Sequence, residues 1–255
     1  MFMRKTAFRV NFRHAVIASL GAAAFSCLAH AQSVEPKLPP HDTGLAPLFE
    51  VEAIFDDGTR RIERQDQSHL ILKRVGKKAY LKFENDPEVW SLDISTGAGN
   101  VELFKNDIGR LFLRISDSGN LSLITPDYPG EPISVLDEEV ELGKPQAAGS
   151  QFDEELSTYI SVRLGRVVEL SLPDNEPADR LSWMQDAARI AVKGMTRAAE
   201  QTKEIKQVQV SYANVPNLKL GADGVLHVLV NPSLGYDGRV SSDRVILFLK
   251  RRLNS

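Results

Sequence analysis

Cysteine is nearly missing from this chain. Cys27 is the only one in 255 residues, and it lies in an N-terminal stretch that reads as an export signal. If that stretch is removed, no thiol, disulfide or cysteine-based metal site remains. Histidine is scarce as well: beyond residue 31 there are only His41, His69 and His227, and no His-Glu-x-x-His motif. The usual zinc patterns are therefore absent. There is no Gly-x-Ser-x-Gly elbow and no phosphate-cradling P-loop. Gly97-Ala98-Gly99 sits between two strand-like runs and opens no helix, so it is no dinucleotide fingerprint. A Ser-His-Asp site assembles in space and leaves no such trace. The three histidines read as structural, and neither a catalytic residue nor a metal or cofactor is assigned.

The export reading rests on residues 1–31. Arg4, Lys5, Arg9 and Arg13 make a basic opening with no acid. Residues 15–28 are apolar, and Ala29-His30-Ala31 puts small residues where a signal peptidase reads, so the expected cut follows Ala31. The apolar run is short for a membrane span, which needs about 20 residues. Phe25 departs from the pattern that precedes a lipid-modified cysteine, so lipidation of Cys27 is the lesser alternative. Cleavage takes 31 basic against 34 acidic residues to 27 against 34, a net charge of −7. A chain of that balance is a poor partner for nucleic acid. The mature chain has no further run long enough to span a bilayer, and the expected location is periplasmic or secreted.

The remainder divides by composition. Residues 32–47 carry four prolines and read as an extended leader. Residues 48–126 are short alternating runs broken by turn residues about every ten positions, the pattern of an antiparallel β-meander in a sandwich or small barrel. Residues 127–152, rich in proline, glycine and acids, read as a solvated linker. Residues 153–255 read as a smaller β-α-β-β-α module. There the stretch 156–172 looks strand-rich. Asn175 and Pro177 look like the start of a helix, 218–230 reads as a hairpin, and a Ser241-Ser242-Asp243 cap opens the last helix. The fold class is α+β.

Two groups of residues are candidate sites. The meander repeats Phe-x-Asn-Asp at 83–86 and 104–107. Asn and Asp bond their own backbone and make turns, which accounts for the repeat. If both turns share one rim, Asn85, Asp86, Asn106 and Asp107, with Trp90 and Arg110 beside them, could form a ligand site. Glu84, Asp86, Glu88, Glu102 and Asp107 could also supply the carboxyl pair that glycan hydrolysis needs, although turn formation explains them more simply. The second group is Arg239, Ser241, Ser242 and Arg244, where unpaired N–H groups at a helix start could bind an anion.

Residues 83–92 (Phe-Glu-Asn-Asp-Pro-Glu-Val-Trp-Ser-Leu) are followed by Lys105-Asn-Asp-Ile-Gly109, Leu113-Arg114 and a Gly-Asn-Leu-Ser-Leu strand. With the closing Gly238-Arg-Val-Ser-Ser-Asp-Arg244, they resemble a family of exported alphaproteobacterial proteins known as domain of unknown function 4908. The resemblance implies export and no activity. The expected function is thus that of a non-enzymatic exported protein that binds an envelope protein or small ligand. The alternative is a periplasmic hydrolase, directed at glycans, whose site is assembled in space.

Overall fold

The first nine strands form one antiparallel sheet, and its strand order shows that it is curled. In the computed structural model, which describes residues 57–124 and 129–252, these strands are β1 (Gly58–Glu63), β2 (His69–Val75), β3 (Lys78–Phe83), β4 (Val89–Thr96), β5 (Glu102–Lys105), β6 (Leu111–Ile115), β7 (Leu121–Ile124), β8 (Pro129–Pro132) and β9 (Ser134–Glu139). Neighbours in sequence are neighbours in the sheet up to β8, but β9 pairs with β1 at the opposite edge. Only Ile133 separates β8 from β9, and two peptide steps reach about 7 Å. The two edges must therefore meet. Glu131 on β8 ties the closure by accepting bonds from Arg64 Nη2 (3.2 Å) and the Gln65 N–H (2.9 Å), just past β1. The result is nearly a barrel. Its strands come from a meander, as the turn spacing predicts. The acidic Pro/Gly segment expected as a linker instead contributes β8 and β9.

Side chains that alternate along these strands fill the interior. Ile62, Leu70, Leu81, Leu92, Phe104, Leu113 and Leu123 are all essentially inaccessible to solvent. One irregularity matters for the core. Phe104 faces Leu113 and Lys105 faces Leu111, so Phe112 is an extra residue on β6. Such a bulge re-aims a side chain, and here it turns Phe112 inward, 4.7 Å from Trp90.

The second layer comes next in the chain. Helix α1 (Phe152–Leu164), β10 (Glu169–Ser171), helix α2 (Ala178–Arg197), β11 (Gln207–Tyr212), β12 (Asn217–Leu220), β13 (Val225–Val230) and helix α3 (Ser242–Arg252) complete the fold. Their sheet runs β10-β11-β13-β12, with β10, β11 and β13 parallel and β12 antiparallel at one edge. Val208, Val210, Leu226 and Val228 meet Met184, Ala188, Ala191 and Met195 of α2 in one core. The hairpin and the last helix lie where the sequence puts them. Gly194 allows α3 to cross α2 closely: a Cβ there would stand 2.6 Å from Val245 Cβ and 2.8 Å from the Ser242 carbonyl oxygen.

Two expectations need correction. The stretch 156–172, expected to be strand-rich, is helix up to Leu164 and strand only at Glu169–Ser171. Asp153, Glu154 and Glu155 favour the N-terminus of the helix, where acids offset its dipole. Gly165, at φ 66°, ends it with the paired bonds of a Schellman turn, from the Arg166 N–H to Ser161 and from the Gly165 N–H to Val162. Nor does Asn175 cap α2. It adopts φ 62°, and Pro177 occupies the cap position.

Helix α1 also solves an edge problem. Strand β10 lies at the end of its sheet, where unpaired N–H groups invite foreign strands. The N–H groups of Val168 and Leu170 donate to Ser161 Oγ and Ser157 Oγ, both at 2.9 Å, and that of Leu172 donates to Asp153 Oδ2 at 3.3 Å. Four helical residues advance about 6 Å, and two strand residues about 6.6 Å. The two ladders therefore stay in step for three bonds. Ser161→Ala should leave the Val168 N–H unpaired and lower stability by about 1–3 kcal/mol. Denaturant unfolding and amide exchange at Val168 test this. Unchanged stability with unchanged exchange would refute the ladder.

Candidate functional site

The turns at 83–88 and 105–110 lie at the same end of the barrel, because each joins an odd-numbered strand to the next. Each is closed by the side-chain chemistry the sequence suggests. Asp86 Oδ1 accepts the Glu88 N–H (3.0 Å), and Asn106 Oδ1 accepts those of Ile108 (3.2 Å) and Arg110 (2.9 Å). Both turns then meet the helical layer. Lys193 Nζ on α2 donates to Asp86 Oδ1 at 2.7 Å and lies 2.9 Å from Glu88 Oε2. Glu88 has no solvent exposure. Its Oε1 accepts the Ser242 N–H (2.9 Å), and its Oε2 accepts the Ser242 hydroxyl (2.7 Å).

The second turn docks in the same way. Asp107 accepts from the Ser241 N–H (3.1 Å) and the Ser241 hydroxyl. Asp243, in the first turn of α3, receives three donors: Asn106 Nδ2 (3.2 Å), Arg110 Nη1 (2.8 Å) and Arg197 Nη1 (3.1 Å). Ser241 Oγ also accepts the Arg244 N–H at 3.1 Å and so caps the helix. Arg239, buried, donates from Nη2 to the Val89 carbonyl at 2.8 Å and forms an ion pair through Nε with Asp186 on α2. Burial pushes the Asp186 carboxyl up, more than the charges of Arg239 and Arg189 pull it down.

Eight of the ten expected site residues thus fall into one arrangement, not two, and Trp90 and Asn85 lie outside it. Asp86, Asn106, Asp107 and Arg110 from the meander bond with, or lie beside partners of, Ser241 and Ser242. Trp90 is not on this rim. It is 5% exposed, in the barrel core, with Lys193 Nζ 5.5 Å from its ring. Asn85 is exposed at the tip of its turn. Arg244 contributes only its backbone N–H to the seam, and its guanidinium has no ion-pair or hydrogen-bond partner among the described residues. Sequence reasoning missed Lys193, Asp186 and Asp237. The first two lie on α2, where a helical pattern marks a face without saying what faces it.

Two hollows flank the seam. A cleft of about 100 Å³ is lined in part by Lys78, Asp93, Asp107, Asp237, Arg239 and Arg244. Within it Asp237 Oδ2 accepts the Tyr80 hydroxyl at 3.0 Å, and Asp237 Oδ1 takes the Ser91 hydroxyl and lies 3.3 Å from Lys78 Nζ. Tyr236 packs edge-on against Trp183, with centroids 4.9 Å apart. Burial pushes both phenols up to about 12, helped at Tyr80 by the bond to Asp237 and at Tyr236 by the charge of Asp186. A larger groove, about 520 Å³, runs beside α3. Among the described residues no group of three or more His, Cys, Asp or Glu side chains is placed to hold a metal ion. No described helix is long and apolar enough to cross a membrane. His69 pairs with Glu84 at 3.5 Å, and His227 is half-buried on β13. His41 and residues 1–56 as a whole lie outside the described residues.

Two outcomes test this geometry. Glu88→Ala should cost about 1–3 kcal/mol, because it leaves the buried Ser242 N–H without its acceptor, while Lys193 keeps Asp86. Glu88→Gln, which keeps one oxygen for Ser242, should cost less. Equal losses on denaturant unfolding would contradict the bonding pattern. The tyrosines supply a second readout. Their folded-state values lie above the ordinary 10, so the folded protein holds these protons after the unfolded chain has lost them. The stability they contribute is intact below pH 10 and is lost as pH rises towards 12. Part of the tyrosinate absorbance should then develop only near pH 12. Tyr80→Phe and Tyr236→Phe should each remove a share of it. A single step near pH 10 would show the phenols to be solvated.

A family model described as "Domain of unknown function (DUF4908)" matches residues 56–249. No curated protein and no solved structure matches the chain.

Proposed function

The chain belongs to the DUF4908 family, whose description assigns no activity, and from that premise we propose that it is an exported, non-enzymatic binding protein acting on an envelope protein or small ligand. One observation carries the reading: the acids best placed for chemistry are already committed to the protein's own donors. Glu88 is held by Ser242 and Lys193, Asp107 by Ser241, and Asp243 by Asn106, Arg110 and Arg197. A general acid or base must reach a substrate proton, and these groups face helix termini and cations instead. Export rests on the basic opening, the apolar run and the Ala29-His30-Ala31 site.

A hydrolase is the competing reading. Its support is that Asp93, Asp107 and Asp237 line one cleft. That cleft holds about 100 Å³, below the roughly 300–1,000 Å³ of ordinary ligand sites, and Asp237 is tied to Tyr80, Ser91 and Lys78.

The test has two parts. Expression of the full chain followed by fractionation and intact-mass measurement should place a form starting at Gln32 outside the cytoplasm. A form that stays inside with residue 1 intact would overturn export. Immobilised mature chain should then retain an envelope component saturably, with release by excess free chain. If instead envelope glycan is degraded, and Asp237→Asn abolishes that activity, the hydrolase reading replaces this one.

A further inference from the structure

We propose that the groove beside α3 binds a linear peptide segment in which two carboxylates bracket apolar side chains. The inference rests on the binding-protein reading and gives it a place and a partner chemistry. Arg244, Leu247, Phe248 and Arg251 line the groove and recur at three- and four-residue steps, so they form one stripe of the helix. Ile108 of the second barrel turn and Leu218 of β12 complete the apolar lining. The stripe thus presents two apolar side chains with a guanidinium at each end. Seven helical residues separate the guanidinium-bearing positions, about 10 Å along the axis.

Charge decides the occupant. Among the described residues neither Arg244 nor Arg251 has a side-chain partner. The one carboxylate in the lining, Asp107, is engaged by Ser241. Two unmatched guanidiniums therefore flank the apolar side chains of the groove, which calls for an anionic ligand with an apolar middle. A single-headed amphiphile such as a fatty acid would satisfy one end only. A peptide can carry carboxylates at both ends of a short apolar stretch, and extended chain advances about 3.3 Å per residue with side chains alternating faces, so acids four positions apart point to one side and come within reach of both guanidiniums.

The partner is read by side chains and not by strand addition. Strand β12 is the sheet edge at the groove, but its outward groups are partly covered. Asn217 Oδ1 accepts the Leu218 N–H at 2.9 Å, and Arg252 Nη2 donates to the Leu220 carbonyl at 3.1 Å. That leaves little ladder for an added strand.

An array of short random linear peptides, probed with the mature chain and with Arg244→Gln, Arg251→Gln and the double variant, tests the proposal. Retained peptides should share two acidic residues bracketing apolar ones. Each single substitution should weaken binding by about tenfold or more, the loss expected for a hydrogen bond to a charged group. Neither guanidinium holds the fold, so thermal unfolding of the variants should match the parent and exclude misfolding as the cause. Peptides lacking acids, or binding that survives in the double variant, would overturn the groove while leaving the binding-protein reading standing. Dodecanoate serves as a second probe. If it binds in an arginine-dependent way and no peptide does, the groove holds a lipid anion and the peptide proposal fails. If neither probe binds, the proposal fails outright.

Discussion

The contact between Glu88 and the start of α3 constrains everything around it. An ionised carboxylate removed from water is costly unless it is paired and fully hydrogen-bonded. Glu88 meets both conditions, but only if three pieces of chain arrive together. The turn after β3 must aim it inward, Lys193 must sit on the facing side of α2, and Ser242 must open α3 directly above it. Gly194 makes the third condition possible, because any side chain there would push the helices apart. A buried ion pair is weak evidence of stability, since well-packed apolar residues often do as well. Its better-founded effect is to disfavour alternative arrangements. A barrel rotated by one turn would leave Glu88 unpaired.

The same logic extends along the seam. Asp107 on Ser241 and Asp243 under Arg110 each use a charge of one layer to satisfy the other, and Arg239, paired with Asp186 within its own layer, reaches across to the Val89 carbonyl. The Ser241 and Ser242 N–H groups at the start of α3 are therefore met by carboxylates of the barrel, which also suits the helix dipole. Most of the chemistry-bearing residues are spent in this way. Arg244 and Arg251 on the helix's outer stripe have no such partner among the described residues, which is why the groove is the surface proposed for recognition.

Local patterns were legible and long-range ones were not. Period-two alternation locates β2 to β7, apolar residues at three- and four-residue steps locate α2, and the Ser241-Ser242-Asp243 cap locates α3, because each depends only on neighbours in sequence. By composition residues 127–152 read as solvated linker, since prolines, glycines and acids dominate them, yet 129–132 and 134–139 are strand. They become strand because β1 and β7 each offer an open edge, which composition cannot display. Residues 156–164 looked like strand because Thr158, Ile160 and Val162 are β-branched at alternate positions. The signals that could have corrected this were present: three acids at 153–155 and a glycine at 165. The apolar face of this helix is weak, with Phe152 and Ile160 its buried residues, so periodicity gave no help.

The repeated Phe-x-Asn-Asp shows how far a motif determines its use. In the first copy Asp86 closes the turn and also binds Lys193. In the second, Asn106 closes the turn, one position earlier, which releases Asp107 to dock Ser241. The difference comes from the residues just beyond each copy, Pro87 after the first and Ile108-Gly109 after the second. Gly109 adopts φ 81°, a conformation open to glycine and closed to proline. The repeat therefore specifies two turns at one end of the barrel. The residue after it sets which acid is left over, and the helix opposite sets what that acid does.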